Sequence, residues 1–305
     1  MIQDPVFYAV ALPVLMLTGI SKGGFGAGIG IVAVPTLSLV VPPLQAVAIM
    51  LPILCLMDIF GVWSYRRDWS RKLMLYLGPG ALLGIGIGTA LAGWVDEHMI
   101  RLIIGTIAVL FSLNYWLGGR RRDEARPESP VRGVFWSAVS GFTSFIGHAG
   151  GPPLQVYLLP LKLNKTVFVG TTTVFFMAVN YAKLVPYGYL GLLTEENLMT
   201  ALVLAPICPL AMLSGVWLHH RIPERPFYLI CYVFVFLVGL KLLWDGVAGT
   251  FGLASSSCLR CGRPSGVFSA VTPRRSTTAV IWRRRIVMLS KAETLTGSSK
   301  RRATR

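Results

Sequence analysis

Charge is what this sequence has least of. Only 14% of its 305 residues are Asp, Glu, Lys or Arg, and the acids number 13. A soluble domain of this length needs far more polar surface to face water, so a water-exposed globular fold is excluded. Histidine is scarce too, at four residues, which leaves a metal centre poorly supplied, and no H-E-x-x-H run occurs. No G-x-x-x-x-G-K-[ST] run occurs either, so the nucleotide loop of an ATP-driven pump is missing. The five cysteines form no evident framework. Cys55, Cys208 and Cys231 lie inside apolar runs as small packing residues, and Cys258-x-x-Cys261 lacks a second ligand pair for zinc. No cofactor is expected. The start has neither a basic n-region nor a small-residue cleavage site, so its first apolar stretch is expected to stay in the protein.

What the sequence has is apolar length. Hydrophobic residues make up 54% and the mean hydropathy is +0.63. Several runs reach about 20 residues, enough to cross a bilayer as helices. The first pair, 6–20 and 28–41, flanks an interruption at 21–27. Runs at 44–63, 73–94 and 100–117 follow, then a polar stretch at 118–132. After it, 134–146 and 152–160 flank a second interruption, Gly147-His148-Ala149-Gly150-Gly151, and runs at 166–187, 197–218 and 227–244 complete the set. Each half is one interrupted segment and three continuous ones. The order of landmarks repeats as well. Pro35 and Pro42 match Pro153 and Pro160, Asp58 and Tyr65 match Asn180 and Tyr187, and Gly88 and Glu97 match Gly215 and Glu224. Duplication explains this order better than chance. The chain divides into a first membrane repeat (1–117), a basic linker (118–132), a second repeat (133–252) and a tail (253–305).

Orientation follows from Lys and Arg in short loops. The loops 64–72, 118–132, 161–165 and 219–225 are basic, whereas 95–99 and 188–196 contain no Lys or Arg. If each interrupted segment is a re-entrant hairpin, all four basic loops fall on the cytoplasmic face. Three crossings per half then turn the second half upside down. The expected fold is an all-α polytopic membrane protein of two inverted repeats, each a glycine-broken hairpin plus three spanning helices. Hairpins that cross twice would satisfy the same charges. The tail carries 12 Lys/Arg against one acid, or +11, while the rest of the chain carries 17 against 12, or +5. This topology puts the tail outside the cell, and its composition is that of a disordered segment rather than a nucleic-acid-binding arm.

The two interruptions hold the residues with chemical promise. Gly23, Gly24, Gly26, Gly28 and Gly30 crowd one; Gly147, Gly150, Gly151, Pro152 and Pro153 fill the other. Irregular backbone at membrane depth is tolerated only where protein buries it or a wet cavity lies beside it. A helix restarting after such a break points free N–H groups and a positive dipole end at the gap. Two breaks brought together would form an anion site near mid-membrane; close packing through small residues is the competing explanation. Lys22 adds positive charge, His148 a donor or proton carrier, and Ser21 and Ser144 hydroxyls. Asp58 is costly in an apolar run unless paired or functional. With Asn180 and Lys183 it forms a candidate set in which proton coupling and internal pairing with a cation such as Lys22 or Lys183 are equal alternatives.

Ser21-Lys22-Gly23-Gly24-Phe25-Gly26 followed by Val34-Pro35, with His148-Ala149-Gly150-Gly151-Pro152-Pro153 followed by Leu159-Pro160, resembles the TauE/SafE family of sulfite and organosulfonate exporters. The run 165–172 is similar to that family too, and the resemblance covers roughly 6–246. It implies a bacterial inner-membrane permease that exports a small sulfur-containing anion, with a site in the glycine-rich runs including Lys22 and His148. It does not assign Asp58. The expected function is secondary transport by alternating access, with a passive anion channel or an intramembrane enzyme as alternatives. Ser144 and His148 are four apart, but the break between them argues against a rigid catalytic pair. Expected partners are the anion and the lipid bilayer, with no nucleic acid and with self-association into a homo-oligomer left open.

Overall fold

The computed structural model describes residues 2, 4–26, 33–91, 97–117 and 125–250. Among these every regular element is helical: α1 (Pro5–Phe25), α2 (Ala33–Leu37), α3 (Pro43–Ser64), α4 (Arg71–Ala90), α5 (Glu97–Leu117), α6 (Pro130–Gly147), α7 (Gly151–Leu158) with a following 3-10 turn (Leu159–Leu161), α8 (Lys165–Tyr189), α9 (Glu195–Leu204), α10 (Ile207–Arg221) and α11 (Glu224–Thr250). Six of them, α1, α3, α4, α5, α8 and α11, contain stretches long and apolar enough to cross a bilayer. The chain is an all-α polytopic membrane protein. Gly28, Gly30, much of the 118–132 linker and the 253–305 tail lie outside the described residues.

Two expectations need correction. The run at 197–218 is not continuous: α9 and α10 meet at a 49° bend. Lone prolines sit inside α1 (Pro13), α3 (Pro52), α4 (Pro79) and α8 (Pro186) without ending those helices. Pro206 and Pro209 fall within one turn, which removes two N–H donors and adds two ring clashes there. The helix breaks. Second, the first interruption begins later than 21. α1 continues through Phe25 and ends at Gly26, whose φ of 72° is left-handed, so Ser21, Lys22, Gly23 and Gly24 are helical residues.

The basic loops meet at one end of the bundle, as their charge predicts. Lys72 pairs with Glu128 at 2.6 Å, and Arg126 N donates to Pro160 O at 2.9 Å. Lys165 Nζ donates to His219 O at 3.0 Å and Ile222 O at 2.6 Å. At the other end Ile2 N donates to Thr200 Oγ1 at 3.1 Å, which puts the start of α1 beside α9. The α6–α7 hairpin enters and leaves at the basic end, because Tyr157 near the end of α7 donates to Ser129 O, just before α6, at 3.1 Å.

The principal helix pairs all join one half of the chain to the other: α1 with α10, α4 with α6, α3 with α8, and α5 with α11. Small residues permit the close approaches. A Cβ on Gly84 would stand 1.9 Å from Ala138 O, one on Gly141 2.2 Å from Ala81 O, and one on Gly215 2.6 Å from Ile20 O. The α3–α8 contact is antiparallel, since Asp58 meets Asn180 while Gly61 meets Thr173 and Tyr65 meets Gly170.

Candidate functional site

The two breaks are built alike. α1 ends at Gly26 and α6 at His148, each a left-handed residue (φ 72° and 54°), and the two positions are 122 residues apart. For His148 that conformation costs on the order of 1 kcal/mol. It is held by an αL-type close in which His148 N donates to Ser144 O (3.1 Å), with Ala149 N donating to Thr143 O (3.2 Å). Tyr65 donates to Gly23 O at 2.7 Å. Tyr187, 122 residues on, donates to Phe145 O, also at 2.7 Å. At the same spacing, Asn180 Nδ2 donates to Asp58 Oδ2 at 2.7 Å.

Asp58 and Asn180 each stand fifteen residues after the first residue of their helix, Pro43 and Lys165. The helices run in opposite directions, so this contact lies midway between their starts, about 22 Å along each at 1.5 Å per residue. Around it sits a buried polar cluster. Lys22 Nζ lies 2.7 Å from Asp58 Oδ1 and 3.5 Å from Leu54 O; this is a close ion contact, but Oδ1 accepts no well-aligned hydrogen bond. Lys183 Nζ spends its three donors on Ser144 O (3.1 Å), Ser144 Oγ (3.0 Å) and His148 Nδ1 (2.8 Å). His148 Nε2 lies 3.1 Å from Val47 O. A carbonyl only accepts, so Nε2 carries the proton, and Nδ1 is left as acceptor for the Lys183 ammonium. His148 is then neutral.

Lys22, Asp58, Asn180, Lys183 and Ser144 are each no more than 4% exposed. Ion pairing neutralises Lys22. Lys183 has hydrogen-bond partners but no carboxylate among them, so in its ammonium form it would be an uncompensated buried charge, which is costly. The structure thus brings Lys22, Asp58 and Asn180 into one contact group and Ser144, His148 and Lys183 into another, with Asp58–Asn180 at the join of the halves.

The glycines divide differently. Gly23 and Gly24 face α10: a Cβ on Gly23 would stand 2.4 Å from Met212 O and one on Gly24 3.1 Å from Gly215 O. The close approach they permit is that of a helix. Gly26 faces Thr172. Gly150 packs on α6, where Ser140 Oγ donates to its carbonyl at 2.7 Å. Gly147 closes α6 and Gly151 opens α7. Free N–H groups at that opening come only from Gly150 and Gly151, because Pro152 and Pro153 have none. Positive charge at this site therefore comes chiefly from lysine side chains. Ser21 is buried in the body of α1. It falls within a G-x-S-x-G spacing, Gly19 to Gly23, but a nucleophile elbow needs a strand-to-helix turn, and no strand is present among the described residues.

Sequence reasoning did not single out His219. It is fully buried near the basic end, with Nδ1 3.1 Å from Gly24 O and Nε2 3.3 Å from Thr166 Oγ1. It ties α10 to the end of α1 beside Tyr65, at 5.6 Å between rings. Its sequence position, at the start of the basic loop 219–225, gave no hint of that role.

A family model described as Sulfite exporter TauE/SafE matches residues 11–242, which takes in both breaks, the mid-depth cluster and nearly all the described helices. No curated protein and no solved structure gives a significant match. The family consists of membrane permeases for sulfite and related anions, not enzymes. On that match, the chain belongs to the TauE/SafE sulfite exporter family.

Proposed function

We propose that this chain is a secondary transporter that exports a small anion, such as sulfite or an organosulfonate, across a bacterial inner membrane. The observation that carries the reading is the buried cluster of two lysines and one carboxylate at the join of the halves. An uncompensated Lys183 ammonium at that depth is costly unless an anion periodically neutralises it. The anion would sit beside Lys183 and His148, under the second break, with Lys22 held in place by Asp58.

Alternating access would come from two repeats in opposite orientation. Three matched features at one spacing support this reading: the left-handed caps Gly26 and His148, the tyrosine bonds to Gly23 O and Phe145 O, and the Asp58–Asn180 contact. A pseudo-twofold in the membrane plane makes equivalent helices antiparallel where they touch, as α3 and α8 are. Because the cluster is buried, loading requires one set of helices to part from the other. The inside-negative potential favours anion exit by about 2.3 kcal/mol per charge per 100 mV, so export of a monoanion needs no coupled ion.

The test is uptake of labelled sulfite into vesicles containing the purified chain. A carrier shows saturable uptake that is faster when unlabelled sulfite is present inside. Uptake that does not saturate and ignores the opposite side would assign a channel instead.

A further inference from the structure

Among the described residues Asp58 is the one buried carboxylate, Lys22 and Lys183 are the two buried lysines, and no arginine is buried. Asp58 spends its charge on Lys22 at 2.7 Å. His148 adds none, since one ring nitrogen serves Val47 O and the other receives Lys183. The matching position in the second half carries the uncharged amide of Asn180, with Nδ2 2.7 Å from Asp58 Oδ2. The two halves therefore present nearly the same shape at mid-depth but differ there by one negative charge.

We propose that Asp58 sets the valence of the transported anion. It restricts the site to singly charged sulfur oxyanions, hydrogen sulfite and simple alkanesulfonates, and excludes the sulfate dianion. This rests on the reading of the cluster as the anion site and adds the substrate class to it. A monoanion beside Lys183 brings the buried charge to zero. A dianion leaves one uncompensated negative charge in the same low-dielectric place, and a site far from water rejects it. Without the Asp58 charge the cluster would hold two positive charges, and a dianion would become the neutralising ligand.

Asp58→Asn is close to isosteric and copies the residue already present in the other half. The reporter is saturable uptake of labelled sulfite into vesicles holding the full chain. The competitors are methanesulfonate, with one charge, and sulfate, with two. Wild-type uptake should be half-inhibited by methanesulfonate at a concentration at least tenfold below that needed for sulfate. In Asp58→Asn the ratio should fall at least tenfold toward sulfate. Sulfate competing as well as methanesulfonate in the wild type, methanesulfonate failing to compete, or an unchanged ratio in Asp58→Asn would overturn the proposal and leave anion transport standing. Absence of saturable sulfite uptake would remove the underlying reading as well. If Asp58→Asn does not fold, Lys22→Met with Asp58→Asn removes both charges of the pair and leaves Lys183, and it should keep the wild-type ratio; a tenfold shift toward sulfate in it would overturn the proposal.

Discussion

Lys22 and Asp58 neutralise each other in a place where an unpaired charge is costly. Breaking a buried pair from one side strands a charge and costs about 3–5 kcal/mol, whereas removing both partners costs far less. Lys22→Met should therefore lower the denaturation midpoint of the solubilised protein sharply, and Lys22→Met with Asp58→Asn should recover more than half of that loss. A double variant no more stable than Lys22→Met would mean that the 2.7 Å contact contributes little. This pair also marks how far the site was legible from sequence. Asp58 and Asn180 emerge as counterparts because their surroundings recur in order along the chain. The choice of Lys22 over Lys183 as the partner of Asp58 depends on which helix packs where, and nothing local encodes that. The same holds for Lys183 and His148, which lie 35 residues apart and meet only when α8 lies along the α6–α7 break.

Helix positions followed hydropathy, whereas helix ends and breaks followed details that hydropathy does not carry. The apolar runs mark α3, α4, α5, α8 and α11 to within a few residues. Hydropathy is blind to Pro206 and Pro209, two apolar residues whose effect is on backbone donors rather than on transfer energy. It is equally blind to Gly23 and Gly24, which permit a break but here stay helical because α10 lies against them. Whether glycines loosen a helix or let another approach is decided by the neighbour. On α4 the distinction can be measured two residues apart. Gly84→Leu would force a side chain into the α6 backbone, where a Cβ already falls 1.9 Å from Ala138 O, while Gly86 has nothing within 4 Å. Gly84→Leu should abolish recovery of monodisperse protein, and Gly86→Leu should leave it near wild type. Equal yields would remove the α4–α6 contact from the account.

Across the whole molecule, each principal helix pair joins the half before residue 118 to the half after residue 132. The halves are two strands of one bundle, so residues 1–117 expressed alone should fail to give stable protein and should be rescued by co-expression of 125–305. Stable protein from 1–117 alone would contradict the interleaving. The charge pattern forecast which loops gather at one end, and their contacts bring them together there. A cysteine at Arg67 should react with a membrane-impermeant thiol reagent only from the cytoplasmic side, and one at Glu195 only from outside. Labelling of both from one side would overturn the orientation.

The central claim is that one uncompensated lysine at mid-depth holds the transported anion. Its most direct test is saturable sulfite uptake into vesicles by Lys183→Gln, with insertion and thermal stability measured alongside. Gln is one atom shorter, keeps an N–H donor for Ser144 and removes the charge. The account predicts a correctly inserted, stable protein whose uptake falls at least a hundredfold, a loss of about 3 kcal/mol in transition-state stabilisation. Wild-type uptake and affinity in Lys183→Gln would contradict it.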